Sequence, residues 1–196
     1  TDFYYFFTQK GIWKQIIFLF LYSSGLIGTL AMLKPYMVDL GYNIKEIGVM
    51  SGLAGTFIAF LSSFGGGFII RRIGRDRARI LFAVAILLAT FYFLGLSYVT
   101  PTTLLLYVGI FLLWGSYGMA TIIVYTTAMD CVREGREGTD FTIQTVITHL
   151  SSMCIAIASG KIADLTGYHG LFLFEVILAT VSLIYIIFVF KKKQTL

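Results

Sequence analysis

The chain has 196 residues, of which 58% are hydrophobic and 13% are charged, and its formal net charge is +5. A soluble globular domain carries about 25% charged residues, so this composition excludes one and indicates an integral, multi-pass membrane protein. The basic residues lie in short segments between apolar runs and at the chain end, as membrane topology requires. The sequence has no groove-like pattern of aromatic and basic residues outside the apolar runs, so nucleic-acid binding is not predicted.

The first half of the chain predicts three membrane-spanning helices, because apolar runs of about 20 residues are long enough to cross a bilayer. Residues 1–12 are aromatic and then basic, and we interpret them as an interfacial lead-in or the remnant of a linker. A first helix is expected over 13–34, where Pro35 ends it because proline cannot donate a backbone hydrogen bond. Two further helices are expected over 46–70 and 80–98, the latter facing lipid.

The second half of the chain predicts three more helices. The fourth helix is expected to end near residue 129, and the fifth and sixth to cover 141–163 and 171–190. The basic segment 191–196 then forms a cytoplasmic tail. The sequence therefore predicts an all-α membrane protein with six transmembrane helices.

A glycine-bracketed turn separates the second and third helices, and its spacing recurs 93 residues later. Gly67 and Gly74 bracket the first turn, whose basic segment holds five arginines within residues 71–79. Gly160 and Gly167 repeat the same spacing. A repeat at about half the chain length indicates two copies of one unit, and turns on opposite faces of the membrane imply inverted topology, which is typical of transporters. The two three-helix repeats are residues 13–98 and 99–190.

The distribution of lysine and arginine predicts the orientation. If both termini face the cytoplasm, twelve basic residues lie on that side and three on the other. The positive-inside rule therefore places both termini in the cytoplasm.

The fifth predicted helix carries the clearest polar stripe, with side chains spaced three and four residues apart on one face. The stripe includes Gln144, Thr148, His149 and Ser152. His149 lies roughly 13 Å from the cytoplasmic end of the helix, near mid-membrane. An ionisable residue there suggests function, and histidine exchanges a proton near neutral pH. The alternative is a neutral histidine hydrogen-bonded between packed helices.

Glu175 in the sixth helix is a second candidate for proton coupling. It lies about 6–7 Å inside the outer end of its helix. The alternative is an interfacial pairing with Lys161 or Lys34. The difference in depth argues against direct contact between Glu175 and His149.

The first turn resembles the loop motif of the major facilitator superfamily, normally G-x-x-x-D-R/K-x-G-R/K. Gly67, Arg71, Arg72, Gly74 and Arg75 occupy the motif positions, with Arg71 where the usual form has aspartate. In that family the motif joins the second and third helices of each six-helix half. The resemblance therefore implies the C-terminal half of a twelve-helix secondary transporter.

Three further motifs resemble the muropeptide, acetyl-coenzyme-A and siderophore permease branch of that family. They are Pro35-Tyr36-x-x-Asp39-Leu40-Gly41-Tyr42, Gly138-Thr139-Asp140-Phe141-Thr142-x-Gln144 and Gly160-x-x-x-Asp164-x-x-Gly167-Tyr168. The resemblance implies import of a siderophore or similar large polar conjugate across a bacterial inner membrane. A muropeptide, a sugar or a drug is the alternative within the superfamily.

The resemblance also implies where solute binds, because the first helix of each triplet lines the central cavity in this family. Aromatic side chains with a polar edge suit a large, partly apolar ligand, and the alternative is ordinary packing between helices. Asp140 is expected to cap the fifth helix, and Asp164 to bond backbone across the second turn, in gating or structural roles. The implied cavity residues on helices one and four are Tyr22, Thr29, Trp114, Tyr117, Thr121 and Tyr125. On the polar stripe of helix five, Gln144, Thr148 and Ser152 are the further cavity candidates.

No hydrolase, zinc-protease or phosphate-loop motif occurs in the sequence, so we expect neither an enzyme nor a cofactor. Transport would then be driven by an ion gradient. The expected partners are a small-molecule solute, membrane lipid and a second six-helix unit, either an N-terminal half or a dimer mate. The rival interpretation is a non-transporting six-helix scaffold or binding protein, and the presence of a second unit separates the two.

Overall fold

The computed structural model describes residues 2–190, and all regular structure within that range is helical. Five of the helical stretches are long and apolar enough to cross a membrane. This architecture confirms the prediction of an all-α membrane protein, whereas the predicted tail at 191–196 lies outside the described residues. The elements are α1 (Asp2–Phe7), α2 (Ile12–Leu21), α3 (Ser24–Asp39), α4 (Ile44–Ile47), a π-helix (Gly48–Gly55), α5 (Thr56–Ile73), α6 (Arg75–Leu96), α7 (Thr103–Met129) and α8 (Glu137–Phe190).

The long element α8 comprises two spans, because the backbone leaves the helical region at Gly167, with φ 71° and ψ −179°. Eight residues to either side of that glycine, the Ser159 hydroxyl donates to the Glu175 carboxylate at 2.5 Å, so the chain reverses direction there. Six spans result. In chain order they are α2 with α3, α4 through α5, α6, α7, residues 137–166 and residues 168–190.

The six spans alternate in direction, and side-chain contacts define the two ends of the bundle. At one end, here called the arginine end, Arg75 after the second span forms an ion pair with Asp130 after the fourth. At the other, here called the tyrosine end, Tyr42 hydrogen-bonds Thr103 at 2.9 Å. Both ends of the described chain lie at the arginine end.

The two turn glycines adopt nearly the same backbone conformation at opposite ends of the bundle. Gly74 has φ 83° and ψ 164°, close to the angles of Gly167. A positive φ favours glycine strongly, because a Cβ would be strained there. The arrangement is the one that an inverted repeat requires, although the exact repeat boundaries remain a prediction.

The prediction that Pro35 ends the first helix is wrong. Helix α3 continues through Pro35 to Asp39. A proline removes a single intrahelical hydrogen bond, and such losses are tolerated in membrane helices. Burial of Tyr36 and Met37, which are 5% and 0% exposed, stabilises the helical turn that follows Pro35.

The second span begins with a capping box and continues as a π-helix. Asn43 Oδ1 accepts from the Glu46 backbone N–H at 2.9 Å, and the Glu46 carboxylate accepts from the Asn43 N–H at 2.8 Å. Residues Gly48–Gly55 then form the π-helix, where an α-helix was expected. Five of the eight residues in this segment are small, namely Gly48, Ser51, Gly52, Ala54 and Gly55.

Helix α6 was expected to face lipid, but it does so on one face only. It starts at Arg75, five residues before the expected position, and one of its faces is buried in the bundle. Phe82, Ile86 and Phe93 on that face are at most 1% exposed. Leu88 and Phe91 lie on the outer face. Composition alone could not distinguish the two faces, because both are apolar.

Close helix crossings at small residues hold the spans together. Gly118 of α7 lies so near α5 that an added Cβ would collide with the Ala59 backbone. Gly25 of α3 contacts the backbone of Glu175 and Ala179 in the same way. Packing of this kind replaces the hydrophobic effect as the main attraction between helices in lipid.

Candidate functional site

A polar cleft of about 70 Å³ lies between the first, fourth and fifth spans. It gathers residues that are distant in sequence but occupy facing turns of the three helices. Its lining residues are Ser23, Ile27, Tyr117, Thr121, Val124, Tyr125, Thr148, His149 and Ser152. Six of these were predicted from the sequence, namely the fourth-span face of Tyr117, Thr121 and Tyr125 and the fifth-span stripe of Thr148, His149 and Ser152.

The first span is interrupted beside this cleft. Helix α2 ends at Leu21 and α3 begins at Ser24, and the backbone at Ser23 has φ −99° and ψ 3°. The Ser24 hydroxyl donates to the Leu21 carbonyl at 2.8 Å, which satisfies one acceptor left by the break. Ser23, at the break, and Ile27, in the first turn of α3, both line the cleft.

Three of the six hydroxyl groups of the cleft donate a hydrogen bond to a carbonyl of their own helix. Thr121 donates to the Tyr117 carbonyl at 2.8 Å, and Thr148 and Ser152 each donate to the carbonyl four residues earlier, at 3.0 Å. This back-bonding is common for serine and threonine in helices. Among the described residues, the phenol groups of Tyr117 and Tyr125 and the ring of exposed His149 make no hydrogen bond, which leaves them available to a ligand.

Three predicted cavity residues lie away from this cleft. Tyr22 is 1% exposed and donates to the Arg79 carbonyl at 3.0 Å, on the other side of the first span. Thr29 is buried and donates to the Gly25 carbonyl at 3.0 Å. Gln144 is also buried, where its side chain accepts from Gln15 at 3.0 Å and donates to the Ala128 carbonyl at 2.9 Å.

Trp114 borders the cleft without being part of its wall. Its ring packs on Tyr117 with centroids 5.6 Å apart, and its Nε1 donates to the Ser51 hydroxyl at 3.4 Å. An added Cβ at Gly55 would collide with the indole. Trp114 therefore packs directly against the π-helix at Gly55 and against the ring of Tyr117, which lines the cleft.

Glu175 is fully buried where the first, fifth and sixth spans meet. One carboxylate oxygen accepts from Ser159 at 2.5 Å, and the other has no hydrogen-bond partner among the described residues. Lys161 and Lys34, the alternative partners from the sequence, are both exposed and form no ion pair with it. Glu175 and His149 form no hydrogen bond or ion pair with each other in the described structure, and Glu175 does not line the cleft.

The family model for the Major Facilitator Superfamily matches residues 1–152, more than three quarters of the chain. The chain belongs to the Major Facilitator Superfamily. The six-helix bundle described above agrees with half of that fold, as the sequence motif predicted.

Several curated proteins are similar along most of this chain. It is 24% identical over 178 residues to "Putative transporter AmpG 4" of Rickettsia felis, which covers 90% of the chain and 42% of that protein. It is 26% identical over 173 residues to "Putative transporter AmpG 1" of Rickettsia prowazekii, covering 86% and 38%. An "Uncharacterized protein" of Haemophilus influenzae is 24% identical over 209 residues, covering 96% and 47%. The chain thus spans less than half the length of these relatives.

The superfamily loop motif lies at the arginine end. Arg75 pairs with Asp130, and the Arg72 guanidinium lies over the Phe68 ring, 4.7 Å from its centroid. Arg71 lines a groove of the outer surface together with Gly67. The motif thereby connects the turn after the second span to the end of the fourth.

Asp140 was expected to cap the fifth helix and Asp164 to bond backbone across the second turn, and the structure shows neither contact among the described residues. The fifth span begins at Glu137, so Asp140 lies within its first turn and is no N-cap. Asp140 is buried and accepts from the Arg133 backbone N–H at 2.9 Å and from its guanidinium at 2.6 Å. Asp164, one turn after Gly160, is exposed and accepts no hydrogen bond across the Gly167 turn in the described structure.

Sequence reasoning missed Ser23, Asp130 and the contact between Ser159 and Glu175. Ser23 opens a Ser-Ser-Gly segment, which is a local signal for a helix break. The Arg75–Asp130 and Ser159–Glu175 pairs have no comparable signal, because each depends on how separate helices pack.

Proposed function

We propose that this chain is one half of a secondary active transporter that moves a solute by alternating access. Membership of the superfamily supports this function. The main structural support is the polar, aromatic cleft, in which the phenol groups of Tyr117 and Tyr125 and the ring of His149 make no hydrogen bond to the described residues. The cleft joins three spans that a rocking motion would move together. The orientation with both termini cytoplasmic in a bacterial inner membrane belongs to the same proposal.

The size of the cleft supports a second six-helix unit. Binding sites for drug-sized molecules occupy about 300–1,000 Å³, whereas this cleft has about 70 Å³. Beside His149, the apolar side chains of Val146, Leu150 and Met153 are all at least 50% exposed. A facing unit would enclose the cleft and enlarge it into a central cavity.

We propose a large polar conjugate as the solute, with a siderophore and a muropeptide as the two candidates. The branch motifs support this class, and two of the relatives are named as AmpG transporters. The cleft itself offers two phenols and an imidazole, which can contact sugar or peptide groups through both ring faces and polar edges. A sugar or a drug remains the alternative within the superfamily.

We propose that His149 couples transport to protons. It lies in the cleft wall, and histidine is the type of side chain that changes charge between pH 5 and 8. A proton carried at this position would alter the charge of the cavity as the transporter changes state. Glu175 is the second candidate for this role.

The test is uptake of a labelled ferric siderophore and of a labelled muropeptide by cells that express the intact gene product, under an imposed proton gradient. We expect His149→Gln to abolish uphill accumulation while solute exchange across the membrane continues. His169→Gln is the matched control, because His169 lies at the tyrosine end and bonds Ser97 and Tyr98. We expect that control to accumulate solute normally.

The outcomes separate the alternatives. Normal proton-driven accumulation by His149→Gln would reject His149 as the coupling residue. Failure to move any solute with a partner unit present would favour the rival interpretation of a non-transporting scaffold or binding protein.

A further inference from the structure

A second cavity, of about 690 Å³, lies at the arginine end of the bundle and is separate from the cleft. Four parts of the chain contribute to it: the start of α2 with the residues before it, the start of α6, the end of α7 with the residues after it, and the end of the sixth span. Basic side chains come from Lys10, Lys14, Arg75 and Arg79. The apolar part of its wall includes Phe190, the last described residue.

The charges of this cavity do not balance. Asp76 pairs with Arg79 at 3.2 Å, and Asp130 pairs with Arg75. Neither Lys10 nor Lys14 forms an ion pair within the part of the chain that the structure describes. Two lysines therefore leave the cavity with a net positive charge, although the two arginines are neutralised.

Arg79 places an unused hydrogen-bond donor in the same region. The residue is 5% exposed, and its guanidinium lies 4.1 Å from the Phe190 ring centroid and 5.2 Å from that of Phe18. Its Nε is buried and has no hydrogen-bond partner among residues 2–190. A buried donor without an acceptor is costly, so the site favours a ligand that carries acceptor oxygens.

We propose that this basic cavity binds the phosphate of an anionic phospholipid headgroup. Arginine and lysine donate strong, charge-assisted hydrogen bonds to phosphate, and basic pockets between membrane helices bind acidic headgroups. The cavity lies at the ends of the spans, the depth at which headgroups occur. The third and sixth spans that form part of its wall expose Leu81 and Phe188, so lipid can approach from the side.

Binding of phosphatidylglycerol to the purified gene product in detergent micelles tests this proposal, with phosphatidylcholine and inorganic phosphate in parallel titrations. We expect phosphatidylglycerol to bind and to raise the unfolding temperature, and the other two to have little effect. The doubly substituted variant Lys10→Gln/Lys14→Gln should bind it roughly 25-fold more weakly, because each lysine near an anionic headgroup contributes about a factor of five. Both lysines are exposed, so the fold should survive.

The matched control is Lys34→Gln/Lys45→Gln, which removes two exposed lysines from the tyrosine end. We expect it to bind phosphatidylglycerol like the unsubstituted protein. Equal loss of binding in both double variants, or no loss in either, would overturn the assigned site. Equal stabilisation by phosphatidylcholine would overturn the charge recognition, and equal stabilisation by inorganic phosphate would replace the lipid by a free phosphate ligand.

Discussion

The two candidate proton-coupling residues occupy contrasting environments within one bundle. His149 is exposed on the wall of the cleft, whereas Glu175 is enclosed where three spans meet and its partner is Ser159. Gly28 completes the enclosure, because an added Cβ there would collide with the Glu175 carboxylate. An ionisable residue inside a membrane bundle is costly and is therefore a functional hypothesis. For Glu175 the structure offers a packing role as well.

Glu175→Gln separates the two roles of Glu175, since an amide keeps the size of the side chain and can still accept from Ser159. We expect the free energy of unfolding to change by less than about 1 kcal/mol, while proton-driven accumulation falls and exchange continues. Denaturation in detergent and uptake into proteoliposomes measure the two quantities. Unchanged accumulation would leave Glu175 with the packing role alone.

At the residue scale, helical periodicity predicted which side chains of the fifth span share a face. It did not predict which side chains of other spans pack against that face. The spacing of Thr148, His149 and Ser152 placed them together correctly. Gln144 belongs to the same stripe, yet Gln15 covers it from 129 positions away in the sequence. Tyr22 is buried on another side of the first span, where it donates to the Arg79 carbonyl. Neither effect follows from the local pattern.

Among helical elements, the crossing of α5 and α7 depends on Gly118. We expect Gly118→Ala to lower the free energy of unfolding by about 1–3 kcal/mol, because its Cβ would meet the backbone of Ala59 and force the helices apart. Gly65→Ala is the control, since Gly65 has open space around it. That substitution should be neutral or stabilising by up to about 1 kcal/mol. Denaturation of both variants in detergent would show equal effects if helix propensity alone mattered.

The elements themselves were predicted well, and their ends and irregularities less well. Long apolar runs identify spans because a bilayer demands a minimum length. Pro35 and the π-helix at Gly48–Gly55 escaped prediction, because tertiary packing compensates for local preference at both sites. Packing of Trp114 against Gly55 is one such compensation.

At the scale of the whole molecule, the two glycine turns give opposite ends of the bundle a similar backbone but different chemistry. Arginines and aspartates surround the turn at Gly74, whereas the turn at Gly167 is followed by Tyr168, which donates to Asp39 at 2.5 Å. Glycine spacing predicted a turn at each end, and in both turns the second glycine has a positive φ, which favours glycine. The polar contacts at each end could not be predicted, since they join loops from different parts of the chain.

The Arg75–Asp130 ion pair joins the superfamily motif to the end of the fourth span, and any effect of the pair on transport can be measured separately from its effect on stability. Both side chains are substantially exposed, at 50% and 34%, and exposed ion pairs contribute about 0–1 kcal/mol. We therefore expect Arg75→Gln and Asp130→Asn to change the unfolding temperature little.

If the pair controls the transport cycle, each single variant should slow solute uptake severalfold, and the exchanged pair Arg75→Asp/Asp130→Arg should recover much of the rate. Arg77→Gln is the matched control, because Arg77 is a neighbouring arginine that forms no ion pair within residues 2–190. Uptake by the four variants, measured at equal amounts of protein in the membrane, decides the question. A control that is as slow as Arg75→Gln would show that positive charge in the turn, and not this contact, determines the rate.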